Sequence, residues 1–146
     1  MELEYDEFGN LRYETFTMSL AKFKEQFGFN ERRQWLLAGL DLAIADLKAI
    51  GCTAFYADGS FVTQVEEPGD FDICWVDDGI DLIKARQQSP GLFDGGKKLQ
   101  KIKERYRGDV LPANNIADHD RGINVLGFFM EDKEGREKGI IRIEID

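Results

Sequence analysis

Apolar residues recur at helical spacing twice in the first third of the chain. Leu20, Phe23 and Phe27 line one side of a short segment that Ser19 can cap and Gly28 ends. Asn30 is placed to cap a longer helix reaching about Ile50. Its expected buried stripe is Trp35, Leu36, Leu40, Ala43, Ile44 and Leu47, and Gly51 stops it. The pattern then shortens to strand-like runs. CTAFYA, residues 52–57, reads as a buried strand that breaks at Asp58-Gly59-Ser60. FVTQVEEPG is an excursion ending in a Pro-Gly turn, and DFDICWV is a second strand closed by Asp77-Asp78-Gly79. A helical stretch starts near Ile80, and SPGLFDGG makes a loop. A basic helix spans about 97–107, with Leu99, Ile102 and Tyr106 as its buried stripe. DVLPA is a short strand. INVLGFFM, the turn EDKEGREKG and IIRIEI read as a C-terminal hairpin. This order predicts an α/β or α+β fold, a mixed sheet with helices packed on it.

Composition narrows the class. The 146 residues fit one domain, with residues 1–13 polar and expected to be loosely held. Hydrophobic residues make up 42% and charged residues 32%, which suits a globular chain. The net charge of -9 argues against a protein that wraps DNA or reads its sequence, because phosphate binding needs cationic surface. Cys52 and Cys74 sit in apolar runs and are expected as buried thiols rather than a disulfide or metal site. No run approaches the roughly 18 apolar residues of a membrane span. The start, MELEYDEFGN, lacks the basic and apolar regions of a signal peptide. The expectation is a cytoplasmic protein with no membrane partner.

The candidate chemistry lies in DGSFVTQVEEPGDFDICWV. Asp70 and Asp72 are two apart on a strand, so both project from one face while Phe71 and Ile73 project from the other. Two adjacent carboxylates repel unless a cation lies between them, and oxygen-only ligands suit Mg²⁺ or Mn²⁺. Gly59 permits close backbone approach to a ligand. The Ser60 hydroxyl and neighbouring backbone N–H groups can hold a triphosphate. If the two strands pair, the turn and the carboxylates meet at one end of the sheet. That arrangement suits metal-assisted nucleotidyl transfer from an NTP.

Asp58-Gly59-Ser60, a nine-residue spacer and Asp70-Phe71-Asp72-Ile73 resemble the signature of the DNA polymerase beta-type nucleotidyltransferase superfamily. Two departures stand out. Asp58 takes the place of an apolar residue, and the spacer lacks the Arg-Gly of small bacterial members. The runs RRQWLLAGL, GCTAFYADGSFVT, PGDFDICW, RYRGDVLPA and FFMEDKEGREKGIIRIEI are similar to a family of small nucleotidyltransferase-like proteins of bacteria and their mobile elements. The resemblance implies a nucleotidyltransferase-like sheet and a third carboxylate on a neighbouring strand. Asp109, which opens DVLPA, is the first choice, and Glu144 in IIRIEI the second. Lys103 and Arg105 match basic positions of that family and are candidate nucleotide contacts, although a basic face is also an ordinary solvated one. His119, in DHDRG with no Cys or second His nearby, reads as a loop residue.

Two functions remain open on these grounds. One is a Mg²⁺- or Mn²⁺-dependent nucleotidyltransferase acting on an RNA, protein or small-molecule acceptor. The other is a catalytically silent module of the same fold, half of a toxin–antitoxin pair or a phage-defence component. The absence of room for a second, acceptor-gripping domain favours the latter.

Overall fold

A computed structural model describes residues 3–93 and 99–145 of the chain. The elements are β1 (Thr15–Ser19), α1 (Leu20–Phe27), α2 (Glu31–Ala49), β2 (Ala54–Asp58) and β3 (Phe71–Trp75). After these come α3 (Leu82–Gln88), α4 (Leu99–Tyr106), β4 (Gly108–Pro112), β5 (Ile116–Asp118), β6 (Ile123–Asn124), α5 (Val125–Phe129) and β7 (Ile140–Glu144). Two 3₁₀ turns, Ser60–Val62 and Pro90–Phe93, lie between them.

Five strands form one mixed sheet in the order β1-β7-β2-β3-β4. β2 runs antiparallel to both β3 and β7, while β3 and β4 are parallel, as are β1 and β7. The parallel step from β3 to β4 requires a crossover, which α3 and α4 supply. The expected mixed sheet with packed helices is therefore present.

Strand alternation divides the interior in two. On one face Phe55, Ala57, Phe71, Ile73, Trp75, Val110, Ile141 and Ile143 pack against Leu36, Leu40, Leu47, Phe23 and Phe27 of α1 and α2 and against Ile102 and Tyr106 of α4. The opposite face carries a smaller apolar cluster in which Cys74 and Ile140 meet Ala113, Val125 and Phe129. The two cysteines are buried free thiols. The helix caps are those the sequence predicts: Ser19 Oγ accepts from the Lys22 N–H, and Asn30 Oδ1 from the Arg33 N–H.

The structure corrects several expectations. VLGFF is a helix, not a strand, because Asn124 Oδ1 accepts from the Gly127 N–H and starts α5; the C-terminal hairpin is absent. IIRIE instead inserts as the second strand of the sheet, beside a β1 whose short TFTMS run gave no strand signal. The N-terminal segment is tied down, with a Tyr5–Leu11 bridge, a buried Leu11 and a 2.6 Å bond from the Tyr5 hydroxyl to the Val62 carbonyl. Trp35 is 47% exposed and Leu99 39%, so neither belongs to its helix's buried stripe. Lys97 and Lys98, the start of the expected basic helix, lie outside the described residues. No helix among the described residues is long and apolar enough to cross a membrane.

Candidate active site

Register brings three acids into one row. Asp58, the last residue of β2, pairs with Asp72 of β3, and Asp72 pairs with Asp109 of β4. Directly paired residues share a face, so the three carboxylates stand side by side on the face away from α1 and α2. Asp70 sits just ahead of β3, two residues from Asp72. Asp109, the first-choice third carboxylate, thus lies beside the pair. Glu144 does not: it pairs with Ala54 at the other end of β2, about 13 Å from Asp58 at the usual strand rise, and bonds Arg142.

The row is electrostatically loaded. The Asp72 carboxyl is pushed up to about 7, first by burial and then by the charges of Asp70, Asp109 and Asp58. Asp58 is buried, which raises its carboxyl as well. Lys138 Nζ, 3.0 Å from Asp58 Oδ1, pulls it partly back. Sequence reasoning flagged Asp58 only as a departure from a pattern. Lys138 was not singled out, because nothing local ties residue 138 to residue 58.

The turn after β2 is shaped around this row. Gly59 has φ 81° and ψ -167°, a region nearly restricted to glycine, and a Cβ there would collide with Asp72 Oδ2. Ser60 is exposed and opens the 3₁₀ turn. Beneath it, Phe61 packs on Phe23 and Phe27 at centroid distances of 5.8 and 6.3 Å. Arg33, at 0% exposure, threads the loop from below. Its guanidinium donates to the carbonyls of Phe27, Phe61, Thr63 and Val65, and lies over the Phe29 ring at 4.3 Å. No carboxylate pairs with it among the described residues; desolvation lowers its pKa, and the nearby Tyr5 hydroxyl pulls it partly back.

Asp58, Gly59, Ser60, Asp72, Asp109 and Lys138 line a cleft of about 1120 Å³, whose far wall is built by α5, β5 and residues 131–139. Asp70 and Lys103 line a separate hollow on the helical side. Lys103 Nζ stands 3.0 Å from Asp70 and 3.7 Å from Asp109, and its side chain is 48% exposed. The hydrogen bond to Asp70 raises its pKa, with the nearby acids adding to it. Arg105 does not join this group. It lies over the Tyr106 ring and abuts Gly91. His119 is exposed in the turn after β5.

The donor set fits a hard divalent cation in kind: oxygen only, anionic and partly buried, with a like-charge repulsion that a cation would relieve. Among the described residues no three acids are grouped closely enough to hold a metal ion as they stand, and the Lys103 ammonium lies between Asp70 and Asp109. Lys103 reaches in from α4 on a flexible, half-exposed stem, so vacating the gap requires only a rotamer change.

A family model described as a family of unknown function, DUF6932, matches residues 3–144. Neither a curated protein nor a solved structure matches the chain.

Proposed function

We propose that this chain, which belongs to the DUF6932 family, is a cytoplasmic, metal-dependent nucleotidyltransferase that moves a nucleotidyl group from an NTP to an acceptor hydroxyl. One observation carries the reading. Asp72 is held between Asp58 and Asp109 on adjoining strands, beside a glycine bend with no space for a side chain. Structural ion pairs do not stack acids in this way, since the unrelieved repulsion costs stability.

Asp70, Asp72 and Asp109 would hold Mg²⁺ or Mn²⁺. The bound cation would neutralise charge on the phosphates and make the acceptor hydroxyl more acidic. The chain's own residues do the rest. Gly59 brings the backbone close to the triphosphate, and the Ser60 hydroxyl donates to a phosphate oxygen. Arg33 fixes the loop that carries both. The acceptor oxygen bonds to the α-phosphorus as the bond from that phosphorus to the β-bridging oxygen breaks, and pyrophosphate departs with the electron pair. Asp109, farthest from the bend across the three strands, takes the hydroxyl proton on a carboxylate oxygen. Lys103, released from Asp70 and Asp109, contacts the phosphates.

One observation favours the silent-module reading: the Lys103 ammonium already bridges Asp70 and Asp109, as a structural substitute for a metal would. In that reading the fold acts by binding a cognate toxin or antitoxin. The two are separated by incubating the protein with each labelled NTP, Mg²⁺ or Mn²⁺ and cell extract, beside an Asp70→Asn/Asp72→Asn double variant. Label transfer that the variant loses supports the enzyme. No transfer, with no change in melting temperature on adding metal and nucleotide, supports the module.

A further inference from the structure

The acid cluster has a second mouth. Opposite the large cleft lies a hollow of about 450 Å³ lined by Trp35, Gly69, Asp70, Lys103, Glu104 and Arg107. Its floor is unusual for an acidic protein. Trp35, half exposed, has the Arg107 guanidinium over its ring at 4.1 Å and that of Arg32 at 4.7 Å. The hydrogen bonds of these two arginines go to backbone carbonyls, Arg107 to Trp35 at 2.6 Å and Arg32 to Pro68 and Gly69 at 3.0 and 2.6 Å. Among the described residues neither has a carboxylate in ion-pair reach, although the chain carries 28 acids against 19 Lys and Arg.

Arg107 is also the one described non-glycine residue with positive φ, 70°, at the end of α4 where glycine is the usual helix stop. Its N–H closes the helix on the Lys103 carbonyl. A glycine would do that with less strain, so the side chain is the gain at this position.

We propose that this hollow binds the end of a single-stranded polynucleotide, one base stacking on the Trp35–arginine platform and the flanking phosphates meeting Arg107 and Arg32. Indole and guanidinium planes both stack on bases, and guanidinium N–H groups left over from carbonyl contacts suit phosphate oxygens. The volume admits about one nucleotide, and Glu104 on the rim would turn phosphates toward the arginines. A strand end lodged here lies against Asp70. The proposal thus names an acceptor class for the transferase reading and rests on that reading only for the fate of the bound end. Binding itself requires neither NTP nor metal.

The molecule supplies its own probe. Its two tryptophans are Trp35, exposed, and Trp75, fully buried in the core between the sheet and its helices. The intact protein, free of NTP and divalent metal, is titrated at low salt with a short oligoribonucleotide, an oligodeoxynucleotide of the same sequence and a glutamate polymer. Binding is followed by tryptophan emission. Either oligonucleotide should quench the exposed indole saturably, and the arm that binds tighter identifies RNA or DNA as the source. Contact with two phosphates predicts roughly sevenfold weaker binding for a fourfold rise in salt. Trp35→Ala should weaken binding at least tenfold when followed by the anisotropy of an end-labelled strand. Arg107→Gly, which relaxes the backbone but removes the guanidinium from the platform, should weaken binding at least tenfold in protein that circular dichroism shows to be folded. No quench by either strand, a quench unchanged in Arg107→Gly, or equal binding of the glutamate polymer would overturn the proposal. Strand binding without label transfer would leave it standing and remove only the transferase reading.

Discussion

Gly59 and Asp72 are fitted to one another: the backbone at Gly59 passes so close to the Asp72 carboxylate that the smallest side chain would strike its Oδ2. Both partners gain from the contact. The glycine reaches a φ that other residues avoid, and the carboxylate is held upright between those of Asp58 and Asp109. Gly59→Ala should therefore lose stability twice over, from backbone strain of about 1–3 kcal/mol and from displacement of the carboxylate. Chemical denaturation of the single variants and of Gly59→Ala/Asp72→Ala checks this. The double variant should recover about 1 kcal/mol relative to the sum of the singles. Additive losses would mean that the two residues do not touch.

The second prediction concerns pH. Burial and three neighbouring acids raise the Asp72 carboxyl from 3.8 to about 7. Between these values the folded protein binds a proton that the unfolded chain has released, so stability falls as pH rises. The contribution of the protonated form is complete below about pH 4 and gone above about pH 7. Asp72→Asn keeps the shape without the charge. It should be more stable than the parent at pH 8, by on the order of 1–3 kcal/mol, and equal it near pH 4. Adding Mg²⁺ or Mn²⁺ at pH 8 should raise the parent's melting temperature and not the variant's. Parallel melting curves across the range would remove the charged row from the account.

Arg33 carries the third. Its guanidinium satisfies four backbone carbonyls at good distance, three of them in residues 61–65. Lysine has one donor centre and cannot reach them together, so Arg33→Lys is not conservative here. The loss should be about 3–5 kcal/mol, as for other broken buried charge contacts. The diagnostic readout is local. The N–H groups of Val62 and Thr63, which bond the Gly59 and Ser60 carbonyls, should lose hydrogen-exchange protection well before the β2 and β3 amides do. Uniform loss of protection would make Arg33 a general core residue rather than the clamp of this loop.

How much of this was legible follows from where each signal lies. The Asp70–Asp72 pair and the glycine bend were readable because both are local, set by a strand period of two and a short turn. Asp109 could be nominated because it opens a short strand after a helix. Asp58, the partner of Asp72, was overlooked because its place in the row comes from the β2–β3 register, which no local pattern records. Lys138 is 80 residues away along the chain from the acid it pairs with. The hairpin error has the same root. VLGFF is apolar enough for a strand, and only the Asn124 cap and the insertion of β7 beside β1 decide for a helix. Trp35 was misplaced because helical spacing marks a face without telling where the packed face ends.

The last prediction turns on Lys103, the residue on which the enzyme and module readings part. Its ammonium and a divalent cation would compete for the same oxygens of Asp70 and Asp109. Removing it in Lys103→Ala deletes the competitor and one positive charge from the approach path, so Mn²⁺ should bind roughly three- to tenfold more tightly, as expected for partly exposed charges a few ångströms apart. Calorimetric titration at pH 8 measures this directly. Label transfer in the same variant should fall, because Lys103 is then missing from the phosphates. Tighter metal binding with weaker transfer is a combination that a purely structural ion pair does not produce: losing such a pair would loosen β4 and lower both. If Mn²⁺ affinity is unchanged, the cation does not lie between these carboxylates, and Lys103 is a permanent bridge in a fold that no longer needs one.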